Sequence, residues 1–270
     1  MRPDPVGSLL LLGSDRTRGL AVAAGNDHKV IVITGAGAGI GRETARRLLG
    51  DGHSVVLAGR RRKTLEETAD GSPGAVVVET DVTSAESVRA LFGAVRERFG
   101  RVDVLFNNAG VFGPAASVDE IGDSAWREVL DTNVTGSLNC AREAAAMMKA
   151  QSPQGGRIIN NGSISAHVPR PSSVAYTVSK HAINGLTASM NLDLRGYGIA
   201  CTQIDVGNAA TAMTAGFSQA RQADGSVRAE PSIDAAHVAD TIAHIVSLPL
   251  DVNVPTVTVM AREMPFAGRG

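Results

Sequence analysis

The chain has 270 residues, 43% of them apolar and 3% aromatic, with 30 glycines and a formal net charge of −1. That length suits one large domain or two small ones, and near-neutrality without a basic stripe leaves a nucleic-acid role nothing to rest on. Its two cysteines, Cys140 and Cys201, are too few and too distant for a disulfide framework; they read as buried structural thiols in a reducing, cytoplasmic setting.

Residues 1–28 read as an extension, partly disordered or packed on the surface. Arg2 precedes the leucine run Leu9–Leu12, but the uncharged stretch from Pro5 to Ser14 is a poor signal-peptide core and too short to span a bilayer, so no membrane role is expected. From Lys29 onward β-branched runs alternate with helical patterns. The pattern predicts a strand at Val30–Thr34, a helix at Ile40–Leu49, a strand at Ser54–Ala58 and a helix at Lys63–Ala69. It continues with a strand at Ala75–Glu79, a helix at Ala85–Phe99, a strand at Val102–Phe106 and a long helix at Ala125–Ala150. A strand at Arg157–Asn161, a helix at Val174–Arg195, a strand at Ile199–Ile204, a helix at Ala235–Leu248 and a strand at Thr256–Met260 complete it. Ser84 reads as an N-cap and Gly100 as a C-terminal stop. Several strands are continuously apolar, as parallel strands buried on both faces must be. The alternation implies an α/β fold: a Rossmann-type, doubly wound parallel sheet of about seven strands with helices on both faces, forming a single domain over residues 29–270.

Thr34-Gly35-Ala36-Gly37-Ala38-Gly39-Ile40-Gly41 joins the first strand to the first helix. Glycines let backbone approach a pyrophosphate, and the helix N-terminus offers N–H groups and a favourable dipole. In this strand–turn–helix position the run is a dinucleotide signal, with Gly35, Gly37, Ala38, Gly39, Ile40 and Gly41 as its candidate contacts. The spacing is Gly35-xxx-Gly39-x-Gly41, not the common GxGxxG. The second strand ends in Gly59-Arg60-Arg61-Arg62, where an acidic residue would favour NAD. Gly59 leaves room and Arg60 offers a planar fork suited to a 2′-phosphate, which favours NADP(H) over NAD(H); Arg61 and Arg62 could simply solvate the loop. Asp81-Val82 could accept a hydrogen bond from an adenine amino group, and an ordinary helix-leading Asp would look the same.

Tyr176 and Lys180 stand four residues apart on one expected helix face, with Ser163 thirteen residues upstream. A nearby cation stabilises a phenolate and makes tyrosine usable as acid or base. Alone, such a pair is common on solvated helix faces. The six histidines show no HExxH or similar spacing and no Cys/His cluster exists, so no metal is expected.

Taken together, TGAGAGIG, Asp81-Val82, Asn107-Asn108-Ala109-Gly110, Asn133, Ser163 and Tyr176-Thr177-Val178-Ser179-Lys180 fall in the order of a known family. The chain resembles the short-chain dehydrogenase/reductase family, single-domain type with a TGxxxGxG loop, from about Lys29 to the C-terminus. The resemblance implies that Tyr176 is the acid in carbonyl reduction and the base in alcohol oxidation. It also implies that Lys180 lowers the Tyr176 pKa and binds the nicotinamide ribose, that Ser163 holds the substrate oxygen, and that Asn133 anchors a water leading from Lys180 to solvent. Asn108, Ala109 and Gly110 would steady the sheet edge and the cofactor. Ser165 is the rival of Ser163, and the thirteen-residue spacing favours the latter; Tyr197 has no lysine four residues on.

Two departures stand out. The family's Pro-Gly after the sixth strand is here Val206-Gly207, implying a different backbone beside the nicotinamide, where Gly207 and Thr211 would still touch the cofactor. The tail from Thr258 to Gly270 lacks the usual Asp-Gly-Gly; such tails often lie at subunit contacts in the family, which implies a homo-oligomer, dimer or tetramer. Residues 207–231 should cover the substrate as a partly apolar, mobile lid containing Met213, Phe217, Gln219, Arg221 and Gln222, or form an exposed polar helix and loop. Phe112 and His167 are candidate pocket residues. The reading is an NAD(P)(H)-dependent oxidoreductase, NADP(H)-preferring, that interconverts a small carbonyl compound and an alcohol. The alternative is a non-catalytic dinucleotide-binding regulator or scaffold; an extended-type epimerase or dehydratase would need a TGxxGxxG loop and a larger C-terminal region.

Overall fold

The computed structural model describes residues 28–213, 226–264 and 266, with backbone only at residues 220–221. In chain order the elements are β1 (Val30–Thr34), α1 (Gly39–Gly50), β2 (Ser54–Gly59), α2 (Arg62–Ala69), β3 (Ala75–Glu79), α3 (Ala85–Phe99), β4 (Val104–Asn107) and α4 (Asp123–Leu130). A π-turn (Asp131–Thr135) leads into α5 (Gly136–Ala150), followed by β5 (Gly156–Asn161), α6 (Val174–Leu194) and β6 (Ile199–Val206). After the two-residue strands β7 (Ala209–Ala210), β8 (Ala220–Arg221), β9 (Val227–Arg228) and β10 (Ile233–Asp234) come α7 (Ala235–Ser247) and β11 (Thr256–Val259).

Seven strands form one sheet in the order β11-β6-β5-β4-β1-β2-β3, all parallel. The period-two alternation of β1 divides the core. Val30 and Val32 face a cluster with Leu91 and Phe92 of α3 and Ala144 and Met148 of α5, whereas Ile31 and Ile33 face Leu48 of α1 and Val238 and Ile242 of α7. Both faces of the sheet are thus covered at its centre, where β1, β2 and β4 are almost wholly apolar. Ser84 accepts the Ser87 N–H at 3.2 Å, and Gly100 ends α3 with φ +69°, so both expected caps form.

The structure differs from the expected elements for physical reasons. β4 begins at Val104 because the Gln151 side chain takes both backbone groups of Val102, its N–H at 2.9 Å and its carbonyl at 3.0 Å. The long helix expected over 125–150 is two helices separated by the π-turn. There Asn133 turns inward to bond another segment, and Gly136 lies so close to Val82 that a Cβ would sit 2.6 Å from its Cγ2. The short pairs β7–β10 (parallel) and β8–β9 (antiparallel) were not legible as strands. Within the expected cover over 207–231, Phe217, Gln219, Gln222 and the Arg221 side chain lie outside the described residues, as do residues 1–27 of the expected extension. No helix among the described residues is long and apolar enough to cross a membrane, and no group of three or more His, Cys, Asp or Glu among them could hold a metal ion.

Candidate active site

The strand order reverses between β1 and β4, and there the carboxyl ends of the parallel strands open into a crevice. The loop leaving β1 turns through two left-handed glycines, Gly35 (φ +64°) and Gly39 (φ +53°). It also packs too tightly for side chains: a Cβ on Gly41 would overlap Asn108 Nδ2 and Gly35 O. α1 starts at Gly39 with Ala38 as its N-cap, which provides no side-chain cap. Its first N–H groups therefore point to the crevice without an intrahelical partner.

Asn108 braces this loop. Its Nδ2 donates to Thr34 O (2.9 Å) and Gly35 O (3.2 Å), and Thr34 Oγ1 accepts the N–H groups of Asn108 and Ala109, each at 3.0 Å. Asn161 Nδ2 donates to Asn108 Oδ1 (3.0 Å), and the Asn161 carbonyl accepts from Lys180 Nζ (2.7 Å). One hydrogen-bonded line thus joins the glycine loop to Lys180.

A second recess adjoins the loop, lined by Arg60, Arg61, Thr64, Asp81 and Val82 together with Gly37. Arg62 instead lies 3.3 Å from Glu66 on α2. Asp81 Oδ1 accepts the N–H (2.9 Å) and hydroxyl (2.8 Å) of Thr83, and the Val82 carbonyl accepts from Asn139 Nδ2 at 3.1 Å.

Ser163, Tyr176, Phe112, Gly207 and Thr211 line the main crevice with Gly35, Ala38, Gly39 and Ile40 of the loop. The Tyr176 ring lies 4.7 Å from that of Phe112. Burial pushes the phenol pKa up, while its hydrogen bond with Ser163 and the positive charge of Arg170 pull it down; Asp205 adds an upward push, and the net direction is up. Lys180 Nζ sits 5.5 Å from the ring centroid, and burial drags its pKa down to about 8 against the supporting charge of Asp205. Ser163 and Arg170 thus oppose the phenol's rise.

Asn133 is buried in the π-turn. Its amide exchanges two hydrogen bonds with Val111, accepting the N–H at 2.8 Å and donating to the carbonyl at 2.9 Å, and it donates to Ser179 Oγ at 2.9 Å. The side chain is therefore a tie between the strand β4 exit and α6. Val206 remains in β6, paired with Val259, whose carbonyl takes the Gly207 N–H at 2.8 Å. Gly207 is pressed on Met260, where a Cβ would lie 2.6 Å from another. Ser165 donates its N–H to Ser163 Oγ at 3.1 Å. Tyr197 lies far along α6's end, exposed, beneath Lys149 Nζ at 4.1 Å. Cys140 and Cys201 are free and buried, and burial pushes both thiols up to about 12.

A family model described as short chain dehydrogenase matches residues 29–222. The chain belongs to the short-chain dehydrogenase family. As such it is an oxidoreductase of CH–OH groups that works with a nicotinamide dinucleotide. A 3beta-hydroxysteroid dehydrogenase of Mediterraneibacter gnavus is 37% identical over 185 residues, which is 66% of this chain and 65% of that one. An uncharacterized oxidoreductase of Staphylococcus aureus is 33% identical over 233 residues, 86% of this chain and 96% of its own. Among solved structures, an actinorhodin polyketide ketoreductase variant with NADPH superposes with a TM-score of 0.77 at 28% identity, over 87% of this chain and 97% of that one.

In this short-chain dehydrogenase, several residues that shape the site carried no signal in the sequence. Asn161 and Asp205 sit at strand ends, where a polar residue reads as a solvated terminus. Arg170, on the loop before α6, lines the crevice and reaches Glu230 (2.7 Å) and Asn208 (2.9 Å). Among the two expected pocket residues, Phe112 is there and His167 is not: its Nε2 lies 2.7 Å from Asp205 Oδ2, behind Ser163.

Proposed function

We propose that the protein is an NADP(H)-preferring oxidoreductase interconverting a ketone or aldehyde and an alcohol, with Tyr176 as the proton-transferring group. The observation that carries this reading is the convergence of Ser163 and Tyr176 on one crevice continuous with the glycine loop. The residues present fit a dinucleotide. The loop's close-packed glycines leave a backbone cradle, α1 offers an uncapped N-terminus, and Asn161 Oδ1 at the crevice wall is buried without a hydrogen-bond partner. Gly35, Gly37, Ala38, Gly39, Ile40 and Gly41 would hold the pyrophosphate; Asp81, Val82, Asn108, Ala109 and Gly110 would flank the adenosine half; Gly207 and Thr211 would meet the nicotinamide. Arg60, exposed at the end of β2, would pair with a 2′-phosphate, and Lys180 with ribose hydroxyls.

The bound nicotinamide supplies or accepts hydride. The chain's own groups then manage oxygen and proton. Ser163 and Tyr176 are two hydroxyl donors that can meet a developing alkoxide. Burial raises the Tyr176 pKa, so at neutral pH the phenol holds a proton that it can donate to the developing alkoxide. Lys180, cationic below about pH 8, stabilises the phenolate left behind. Asn133 keeps its carried-over place in the proton route, but its side chain is already committed to Val111 and Ser179, so any water it anchors would be held by its backbone.

A cytoplasmic setting is supported by the two free, buried thiols. Assembly as a dimer or tetramer is supported by the exposed apolar side chains Leu138 on α5 and Val178 and Leu192 on α6. The test of the activity is a panel of ketones, aldehydes and alcohols, assayed with NADPH/NADP⁺ and NADH/NAD⁺. Turnover with NADPH at higher efficiency supports the reading. Dinucleotide binding without turnover of any compound would instead mark a binding protein on the same fold.

A further inference from the structure

Behind Ser163, on the side away from the crevice, lies a polar cluster that the proposed chemistry does not use. Asp205, near the end of β6, is fully buried. Its Oδ1 accepts the backbone N–H of Ser163 at 2.9 Å and the Gln203 side-chain amide at 2.8 Å. Its Oδ2 lies 2.7 Å from His167 Nε2. A buried carboxylate is strongly unfavourable unless its oxygens are met by donors, and here both are. Since the carboxylate can only accept, the proton of that short contact belongs on His167 Nε2.

The fit between Asp205 and the catalytic strand is close. Gly162 separates β5 from Ser163, and a Cβ at that position would overlap Asp205 Oδ1. Gly162 also donates its N–H to Ile204 O at 2.8 Å. The exit of β5 therefore rests directly on the Asp205 carboxylate. His167 closes the other side. It stands at the end of the short 3-10 turn Ile164–Ala166, its side chain 40% exposed, with the Phe266 ring packed edge-on at 6.2 Å. The imidazole is thus the only part of the cluster within reach of solvent among the residues named here.

We propose that Asp205 and His167 form a positioning dyad. The buried carboxylate fixes the Ser163 backbone, the imidazole fixes the carboxylate, and the fixed negative charge sets the protonation of the proton-transfer group. This rests on the reading of Ser163, Tyr176 and Lys180 given above. The charged and titratable groups that face one another here are Asp205 on β6, His167 after the 3-10 turn, Arg170 on the following loop, and Tyr176 and Lys180 on α6. The negative charge of Asp205 favours the protonated form of both Tyr176 and Lys180. It therefore keeps the lysine cationic, and the phenol a donor, to higher pH than burial alone would allow for the lysine. Neither residue touches the crevice, so both act through others.

The test measures kcat and KM with NADPH and one active carbonyl substrate across pH, together with thermal unfolding. It compares wild type, Asp205→Asn, His167→Ala, His167→Gln and Tyr176→Phe. Asp205→Asn keeps the shape and removes the charge. It should lower kcat by about 10- to 100-fold with the KM for NADPH unchanged, and move the alkaline limb of the kcat profile down by about one pH unit. His167→Ala should lower kcat several-fold, and His167→Gln, whose amide can still donate to Oδ2, should restore most of it. A purely structural cluster would change the unfolding temperature but neither the alkaline limb nor the split between kcat and KM. If Tyr176→Phe collapses turnover while folded Asp205→Asn and His167→Ala keep the wild-type kcat and profile, the dyad is refuted and the enzyme reading stands. Should Asp205→Asn not fold, the His167 pair decides by the same criterion. Wild-type turnover in Tyr176→Phe would overturn the enzyme reading and the dyad with it.

Discussion

Asn133 Nδ2 donates to Ser179 Oγ at 2.9 Å, and Ser179 in turn donates to the carbonyl of Tyr176 at 2.7 Å. The π-turn is thereby tied to the first turn of the helix that carries Tyr176, while the same amide grips Val111 from the other side. Removing Asn133 takes from Ser179 its donor, though not its bond to Tyr176 O, and leaves the N–H and carbonyl of Val111 without these partners. Asn133→Ala should therefore destabilise the protein by about 2–3 kcal/mol, and Ser179→Ala by about 1 kcal/mol. Denaturant unfolding of the two variants checks the order. Equal small losses would mean that Val111 finds other partners and that the tie is not structural.

In the proposed function, Arg60 carries the preference for NADP(H). Charge reversal at this exposed site, Arg60→Glu, leaves the fold untouched but replaces an attraction for a 2′-phosphate with repulsion. The ratio of kcat/KM for NADPH over NADH should fall by about 10- to 100-fold, the worth of a charge-assisted hydrogen bond. An unchanged ratio would move the discrimination to another residue of the recess, such as Arg61 or Thr64.

The pH dependence follows from Lys180, whose pKa lies at about 8 rather than the ordinary 10.5. Below about pH 8 the ammonium is present; above it the cation is lost, and kcat for reduction should fall roughly tenfold per pH unit. The sign for stability is opposite. The unfolded lysine holds its proton up to about 10.5 and the folded one only to about 8, so this group's contribution to stability rises with pH between those values. Loss of activity in that window with unchanged or improved folding is the expected pairing. Parallel loss of both would assign the alkaline limb to unfolding.

Arg157, 1% exposed at the start of β5, places its Nη2 within 3.0–3.4 Å of the carbonyls of Val252, Pro249 and Leu248, holding the loop between α7 and β11. Its Nη1 is buried without a hydrogen-bond partner, and burial pushes the guanidinium pKa down. Arg157→Ala loses these bonds and leaves a cavity, which should cost about 3 kcal/mol by chemical denaturation, without changing KM for NADPH. A neutral result would show that relief of the buried charge offsets both losses.

The sheet was legible because its strands are continuous apolar runs and its helices carry ordinary caps, as at Ser84 and Gly100. That the glycine loop, Ser163 and Tyr176 share one crevice was legible because chemistry constrains their types and spacing, whereas Phe112 beside them followed from no such rule. The π-turn was not, since Asp131–Thr135 has helical periodicity and only the inward hydrogen bonds of Asn133 distinguish it. His167 was a candidate pocket residue; its actual partner, Asp205, stands 38 residues away in the chain on another strand. The Arg170–Glu230 pair, with side chains only 11% and 9% exposed, joins segments 60 residues apart. Such pairings depend on how β6 lies against β5, which no local pattern encodes.

In the proposed function the Tyr176 hydroxyl transfers the proton during hydride chemistry in this crevice. Turnover of an active carbonyl substrate with NADPH should be compared for wild type and Tyr176→Phe, with NADPH binding measured in both. The expected outcome is a loss of kcat of about 100- to 10,000-fold with binding retained. A Tyr176→Phe enzyme that keeps wild-type kcat would contradict it.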